Sequence, residues 1–261
     1  MDQSIVNALA HEADGAHVGP GSDEYYASRF IPGQERYRAW CVLALKTVIE
    51  EIILRVSDPG VARLKLAWWQ DADSRVNHPL FNLAVQLGVE AELLHTATGQ
   101  LSTAIDQGFS NTGFPDENAQ DEWYRDGYQN FYQILGGDSD LGLRLEQCRS
   151  LLQLRELITA NVIRLSTTRL GHYDLSAIDF VESLPGERRQ QFIHDELRAT
   201  AKNLESAIHR RNARRGPVYA YAALTYKRIQ ETIADGGLLL ERKVELTPIR
   251  KLWIAWRAQK F

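Results

Sequence analysis

Residues 34–56 read QERYRAWCVLALKTVIEEIILRV, and the spacing within this stretch decides the fold class. Trp40, Leu43, Ala44, Thr47, Val48, Glu51, Ile52 and Val56 recur at helical intervals and mark one face of a long helix from Gln34 to Val56. Ser57-Asp58-Pro59-Gly60 then supplies turn formers. Helical spacing resumes at Val61, Leu64, Leu66, Trp68 and Trp69.

The same reading extends outward. Pro32, Pro59, Pro79, Pro115, Pro185, Pro217 and Pro248 each fall at or near the start of a periodic segment. Proline costs a helix least there, because the first-turn N–H groups have no intrahelical partner. Periodicity predicts further helices at Phe81–Gln107, Glu117–Leu135, Leu141–Leu170, Ala177–Leu184, Arg188–Arg211, Val218–Ala234 and Pro248–Gln259. Alternation of the strand type is confined to short pieces such as Lys243–Leu246. No repeat, low-complexity tract or linker divides the chain. The expectation is an all-α fold, residues 1–261 forming one domain of long helices around a central cavity.

Composition narrows the classes. Hydrophobic residues make up 44% and charged residues 25%, as in a globular protein. A net charge of −4 gives no electrostatic footprint for a nucleic-acid partner. Met1–Gly21 lacks the pattern of a secretory leader and is expected to be loosely ordered. No apolar run has the length needed to span a bilayer. Cys41 and Cys148 sit in apolar helical patterns and read as reduced core residues, which points to a cytoplasmic protein.

The order of local patterns resembles the squalene/phytoene synthase family over nearly the whole chain. Tyr26-Ala27-Ser28-Arg29-Phe30-Ile31-Pro32 followed by Glu35-Arg36-Tyr37-Arg38-Ala39 is similar to that family's opening. Val56-Ser57-Asp58-Pro59 with Leu64-Lys65-Leu66-Ala67-Trp68-Trp69-Gln70 resembles its turn and Trp-Trp helix, and His78-Pro79 its His-Pro element. Leu151-Leu152-Gln153-Leu154-Arg155-Glu156-Leu157-Ile158 resembles a central helix. Tyr226, Leu240–Val244 and Arg250-Lys251-Leu252 follow the closing order.

That resemblance implies an isoprenoid synthase-like fold and head-to-head joining of two prenyl diphosphates. It also implies magnesium ions, held by carboxylates, that neutralise the diphosphate leaving group. The first acidic motif falls at positions 50 and 54, here Glu50 and Leu54, with Glu51 beside them. The diphosphate contacts of the same helix fall at Thr47 and Leu43. In the second motif Gln153 matches, Glu156 replaces an asparagine, and Ala160 and Arg164 replace aspartates. Most metal ligands are therefore changed while the walls are kept. Arg164 is expected to form an internal ion pair with Glu50 or Glu51 in place of a metal bridge.

Two functional readings follow. In the first, the protein is catalytically degenerate, needs no cofactor, and binds an isoprenoid or lipid in its cavity or serves as an assembly or accessory factor for a protein partner. Contact with the periphery of the inner membrane belongs to this reading. Its cavity or diphosphate contacts would be Ser28, Gln153, Arg164, Tyr226 and Arg242. In the second, a head-to-head prenyltransferase survives with Mg2+ held by Glu50, Glu51 and Glu156. Plainer roles stand beside these. Glu51 and Arg55 make an ordinary i,i+4 pair, and Arg155-Glu156 is helix surface. Trp68, Trp69, Trp123, Tyr124, Tyr128, Phe131 and Tyr132 are core packing. Arg210–Arg215 is a solvated helix end, or else a contact for anionic lipid.

Overall fold

Two helices buried over most of their length organise the molecule, and both carry charges inward. The structure is a computed structural model that describes residues 3–109, 112–182, 186–209 and 216–260. The Arg210–Arg215 run lies outside the described residues. The described residues form an all-α fold without strands; a single parallel bridge joins Phe114 to Ser166. The Lys243–Leu246 piece is irregular.

The chain opens with α1 (Gln3–Gly15), which buries Leu9 and Ala13, so the expected loosely ordered N-terminus is instead a packed helix. Next come α2 (Asp23–Arg29), α3 (Glu35–Glu50), α4 (Ile52–Arg55), α5 (Pro59–Gln70) and α6 (Ala72–Arg75). They are followed by α7 (Pro79–Gln86), α8 (Ala91–Gln107), α9 (Glu117–Ile134), α10 (Ser139–Leu152) and α11 (Leu154–Thr159). The C-terminal part holds α12 (Thr167–Gly171), α13 (Ala177–Glu182), α14 (Glu187–His209), α15 (Pro217–Ala234) and α16 (Pro248–Lys260).

Helix starts follow local chemistry. The side chains of Ser22, Asp58, Asp116 and Asp138 accept first-turn backbone N–H groups of α2, α5, α9 and α10. Pro59, Pro79, Pro217 and Pro248 open their helices as the sequence predicts.

Three expected helices are interrupted. The 34–56 segment breaks at Glu51 between α3 and α4. The 81–107 segment breaks at Gly88, whose φ of +86° is the left-handed conformation glycine adopts without a Cβ penalty. The 141–170 segment breaks first at Gln153. It stops at Asn161, which is left-handed (φ +56°), while Val162 N–H bonds back to Leu157 O at 2.9 Å. That stop turns the chain out of the helix before Arg164.

Helices α3 and α10 are central. Every residue from Ala39 to Thr47 is buried, as are Leu145, Glu146 and the run Cys148–Leu152. A helix buried in this way has little solvent face on which to leave a charge. Tyr124, Tyr128, Phe131 and Tyr132 of α9 fill the adjacent core, in keeping with their spacing. Trp69 is buried, whereas Trp68 lies at the surface with its ring edge-to-face on Trp69 and near His78. Cys41 and Cys148 are buried free thiols, and burial pushes both thiol pKa values up. Among the described residues, no helix is long and apolar enough to cross a membrane.

Candidate functional site

Lys46 lies in the middle of an apolar run on α3 and is fully buried, so its ammonium must find carboxylates. It donates to Glu50 Oε1 at 3.0 Å, one turn along α3, and to Glu146 Oε1 on α10 at 2.8 Å. Arg149 completes the bridge from α10. Its Nη1 and Nη2 donate to the two Glu50 oxygens at 3.1 Å each, a two-pronged geometry that fits a planar guanidinium to a carboxylate. The same Nη1 donates to Glu146 Oε2 at 2.8 Å, and Nη2 lies 3.7 Å from Glu24 of α2. The Tyr132 hydroxyl donates to Glu146 and the Tyr221 hydroxyl to Glu24. Tyr128 and Tyr221 present their ring faces to Lys46 and Arg149 at 5.2 and 5.1 Å.

This ion core ties α2, α3, α10 and α15 together. Burial pushes the Glu50 carboxyl up, but Arg149 and Lys46 outweigh burial and hold it at about 2. Burial lowers Arg149, and its carboxylate neighbours more than reverse this, so it stays charged.

Beside the ion core opens a cleft of about 290 Å³ where α2, α3, α10, α15 and α16 meet. Arg149 and Tyr221 form its floor, and Gln153 and Glu51 reach it from α10 and from the α3 terminus. On the far wall Asp23 pairs with Arg228 at 2.9 Å and Lys251 at 2.8 Å. Burial pushes Asp23 up, and the two cations hold it below the usual carboxylate range. Lys251 also donates to Gly21 O at 2.9 Å. His17 and Glu51 line both this cleft and an adjoining apolar groove of about 370 Å³, formed by Val48, Ile52, Val56, Trp68 and Trp69.

The sequence-predicted residues scatter around this geometry. Gln153 and Glu51 line the cleft, and Glu50 sits behind it in the ion core. Ser28 is buried on α2, where its hydroxyl donates to Tyr25 O at 2.9 Å. Tyr226 lies outside the cleft; burial and a hydrogen bond to Glu205 push its phenol up to about 12. Arg242 is exposed and pairs with Asp235. Glu156 lines a neighbouring cavity that shares Leu152 and Lys243 with the cleft.

Arg164 does not pair with Glu50 or Glu51. Its guanidinium lies 5.0 Å from the Trp123 ring centre, beside another cavity. The helix stop at Asn161 carries it there, and Arg149 takes the place on Glu50 that the sequence reading gave to Arg164. Sequence reasoning missed Lys46, Glu146 and Arg149. Lys46 carries the one usable signal, a cation inside a mostly apolar helical run with Glu50 one turn along.

The expected magnesium ligands do not converge. Magnesium asks for near-octahedral oxygen coordination. Both Glu50 oxygens are bonded by protein cations, Glu51 is paired with Arg55 at 2.7 Å, and Glu156 lines the neighbouring cavity. Among the described residues no three His, Cys, Asp or Glu side chains are grouped to hold an ion. As arranged, these acids do not fit a magnesium cluster. No family model and no curated protein matches the chain.

Proposed function

We propose that this is a squalene/phytoene synthase-like protein that no longer ionises prenyl diphosphates and instead binds an intact isoprenoid or lipid with an anionic head. The observation that carries this reading is the state of Glu50, whose two oxygens are engaged by Arg149 and Lys46 where the resemblance calls for a metal ligand. The ligand class is supported by the polar cleft running past His17 and Glu51 into the apolar groove. The head would meet Lys243, Lys251 and Arg228, and the chain would lie along Ile52, Val56 and Trp68.

A second feature favours work at a membrane surface. Ile249, Leu252 and Trp253 are exposed on α16, with Arg257 and Lys260 on the same helix, a combination suited to an anionic bilayer interface.

The test is incubation with farnesyl diphosphate or farnesyl monophosphate, with and without magnesium. Release of pyrophosphate and binding of each ligand are both measured. Binding without turnover, weakened by Trp68→Asp in the groove, is expected. Magnesium-dependent pyrophosphate release that disappears in Glu50→Ala would overturn the proposal.

A further inference from the structure

Arg164 is a buried charge that faces a cavity without an ion pair among the described residues. It is 4% exposed, and its Nε has no hydrogen-bond partner among the described residues. Stacking on Trp123 holds the group in place but leaves its Nε–H without an acceptor. A buried guanidinium in that state costs several kcal/mol unless something compensates it.

Its position is fixed rather than incidental. Gln120 Nε2 donates to Arg164 O at 2.6 Å, and the next residue, Leu165, accepts Phe114 N–H at 2.9 Å. The side chain lines a cavity of about 190 Å³ enclosed by α9, α10, α11, α12 and α14, on the other side of α10 from the ion core.

The remaining charges of that cavity are matched. Arg144 lies 3.4 Å from Asp121, and Arg169 lies 2.5 Å from Glu196 and 3.9 Å from Glu117. Arg144 and Arg169 thus hold all three lining acids, and Arg164 has no acid within ion-pair distance among the described residues. The lining balances on formal charge, three arginines against three acids, so a singly charged anion disturbs that balance less than a doubly charged one. Burial pushes the Glu196 carboxyl up to about 7, which shifts the balance further toward accepting an anion. Tyr124, Ser150 and Asn203 add polar groups, while Leu151, Leu154 and Leu157 form an apolar wall.

We propose that this cavity binds a small organic monocarboxylate, with the carboxylate on Arg164 and a short aliphatic body against the leucines. A planar guanidinium matches a carboxylate through paired N–H donors. The volume suits an acid of a few carbons rather than a prenyl chain. The site is separate from the cleft and does not depend on the function proposed for it.

The experiment measures thermal unfolding and calorimetric binding of the full chain with acetate, butyrate, hexanoate, inorganic phosphate and sulfate, each at matched ionic strength against chloride. Butyrate or acetate is expected to stabilise the protein beyond chloride, with affinity falling about tenfold or more in Arg164→Met, the scale of a lost charge-assisted hydrogen bond. Equal response of Arg164→Met and the parent protein, or no effect of any carboxylate, would overturn the site. Stronger binding of phosphate or sulfate would overturn the carboxylate assignment. If Arg164→Met does not fold, crystals of the parent protein soaked in 2-bromobutyrate decide the matter. Bromine inside the cavity supports the proposal, and its absence refutes it.

Discussion

Replacing Arg149 by methionine tests the ion core most directly. Arg149 donates to both oxygens of Glu50 and both of Glu146, and lies 3.7 Å from Glu24. The cluster holds three carboxylates against two cations, so the substitution takes its formal charge from −1 to −2 in a largely buried region at the floor of the cleft. A unit charge at about 4 Å in an effective dielectric of about 20 is worth roughly 4 kcal/mol. This matches the ~3–5 kcal/mol cost of removing one partner of a buried ion pair.

Urea unfolding followed by far-UV circular dichroism, near pH 7, is expected to show a loss of about 4 kcal/mol with an unchanged denaturant slope. The penalty should shrink as pH falls. Without Arg149 the folded-state pKa of Glu50 rises, so the orphaned carboxyl takes up a proton and sheds its charge. The double variant Arg149→Met, Glu50→Met should recover much of the loss, because it removes the charges in pairs. A loss below about 1 kcal/mol in Arg149→Met, or a double variant as unstable as the sum of the singles, would refute the reasoning.

Three further outcomes follow from the same geometry. Glu196 is raised from 4.5 to about 7 by burial, against the pull of Arg169 and with Glu117 and Asp195 adding to the rise. The folded state binds the proton more tightly, so stability should fall as pH rises from about 4.5 to about 7, by on the order of 3 kcal/mol, and Glu196→Gln should flatten that slope in pH-dependent unfolding. A Cβ on Gly142 would lie 2.4 Å from the Tyr132 ring between α10 and α9, so Gly142→Ala should cost about 1–3 kcal/mol in urea unfolding despite alanine's better helix propensity. In co-sedimentation with vesicles containing phosphatidylserine, binding should fall in Trp253→Ser with Leu252→Ser, and neutral vesicles should bind neither protein.

The helical class was legible because it rests on local physics. Apolar spacing and proline at helix starts need no tertiary information, and the structure places α5, α7, α15 and α16 accordingly. The charged core was not legible in the same way. Glu146 and Arg149 look like a solvated i,i+3 pair until α10 is found buried over most of its length. Arg164 was misplaced because periodicity carried a helix through residues 160–164, whereas Asn161 turns left-handed and ends it. At the first motif, by contrast, Glu51 divides α3 from α4 but keeps a right-handed helical backbone, so positions 50 and 54 remain about one turn apart. Motif spacing transfers function only where the helix beneath it is continuous.

The charge balance of the cleft bears on what it holds. Around its floor and far wall stand Glu24, Glu50, Glu146 and Asp23 against Lys46, Arg149, Arg228 and Lys251, four of each sign. At the rim, Lys243 is already 3.0 Å from Glu245. A prenyl diphosphate entering without metal would bring several negative charges into a site that is near neutral before it arrives. In a magnesium enzyme the ions supply that missing charge; here the acids that would hold them are spent on protein cations. A singly charged head needs far less compensation, and rearrangement of Lys243 alone could supply it. On the function proposed above, the same neutrality would disfavour ionising a diphosphate and favour holding an intact amphiphile mainly by its chain, with its head near the cleft rim.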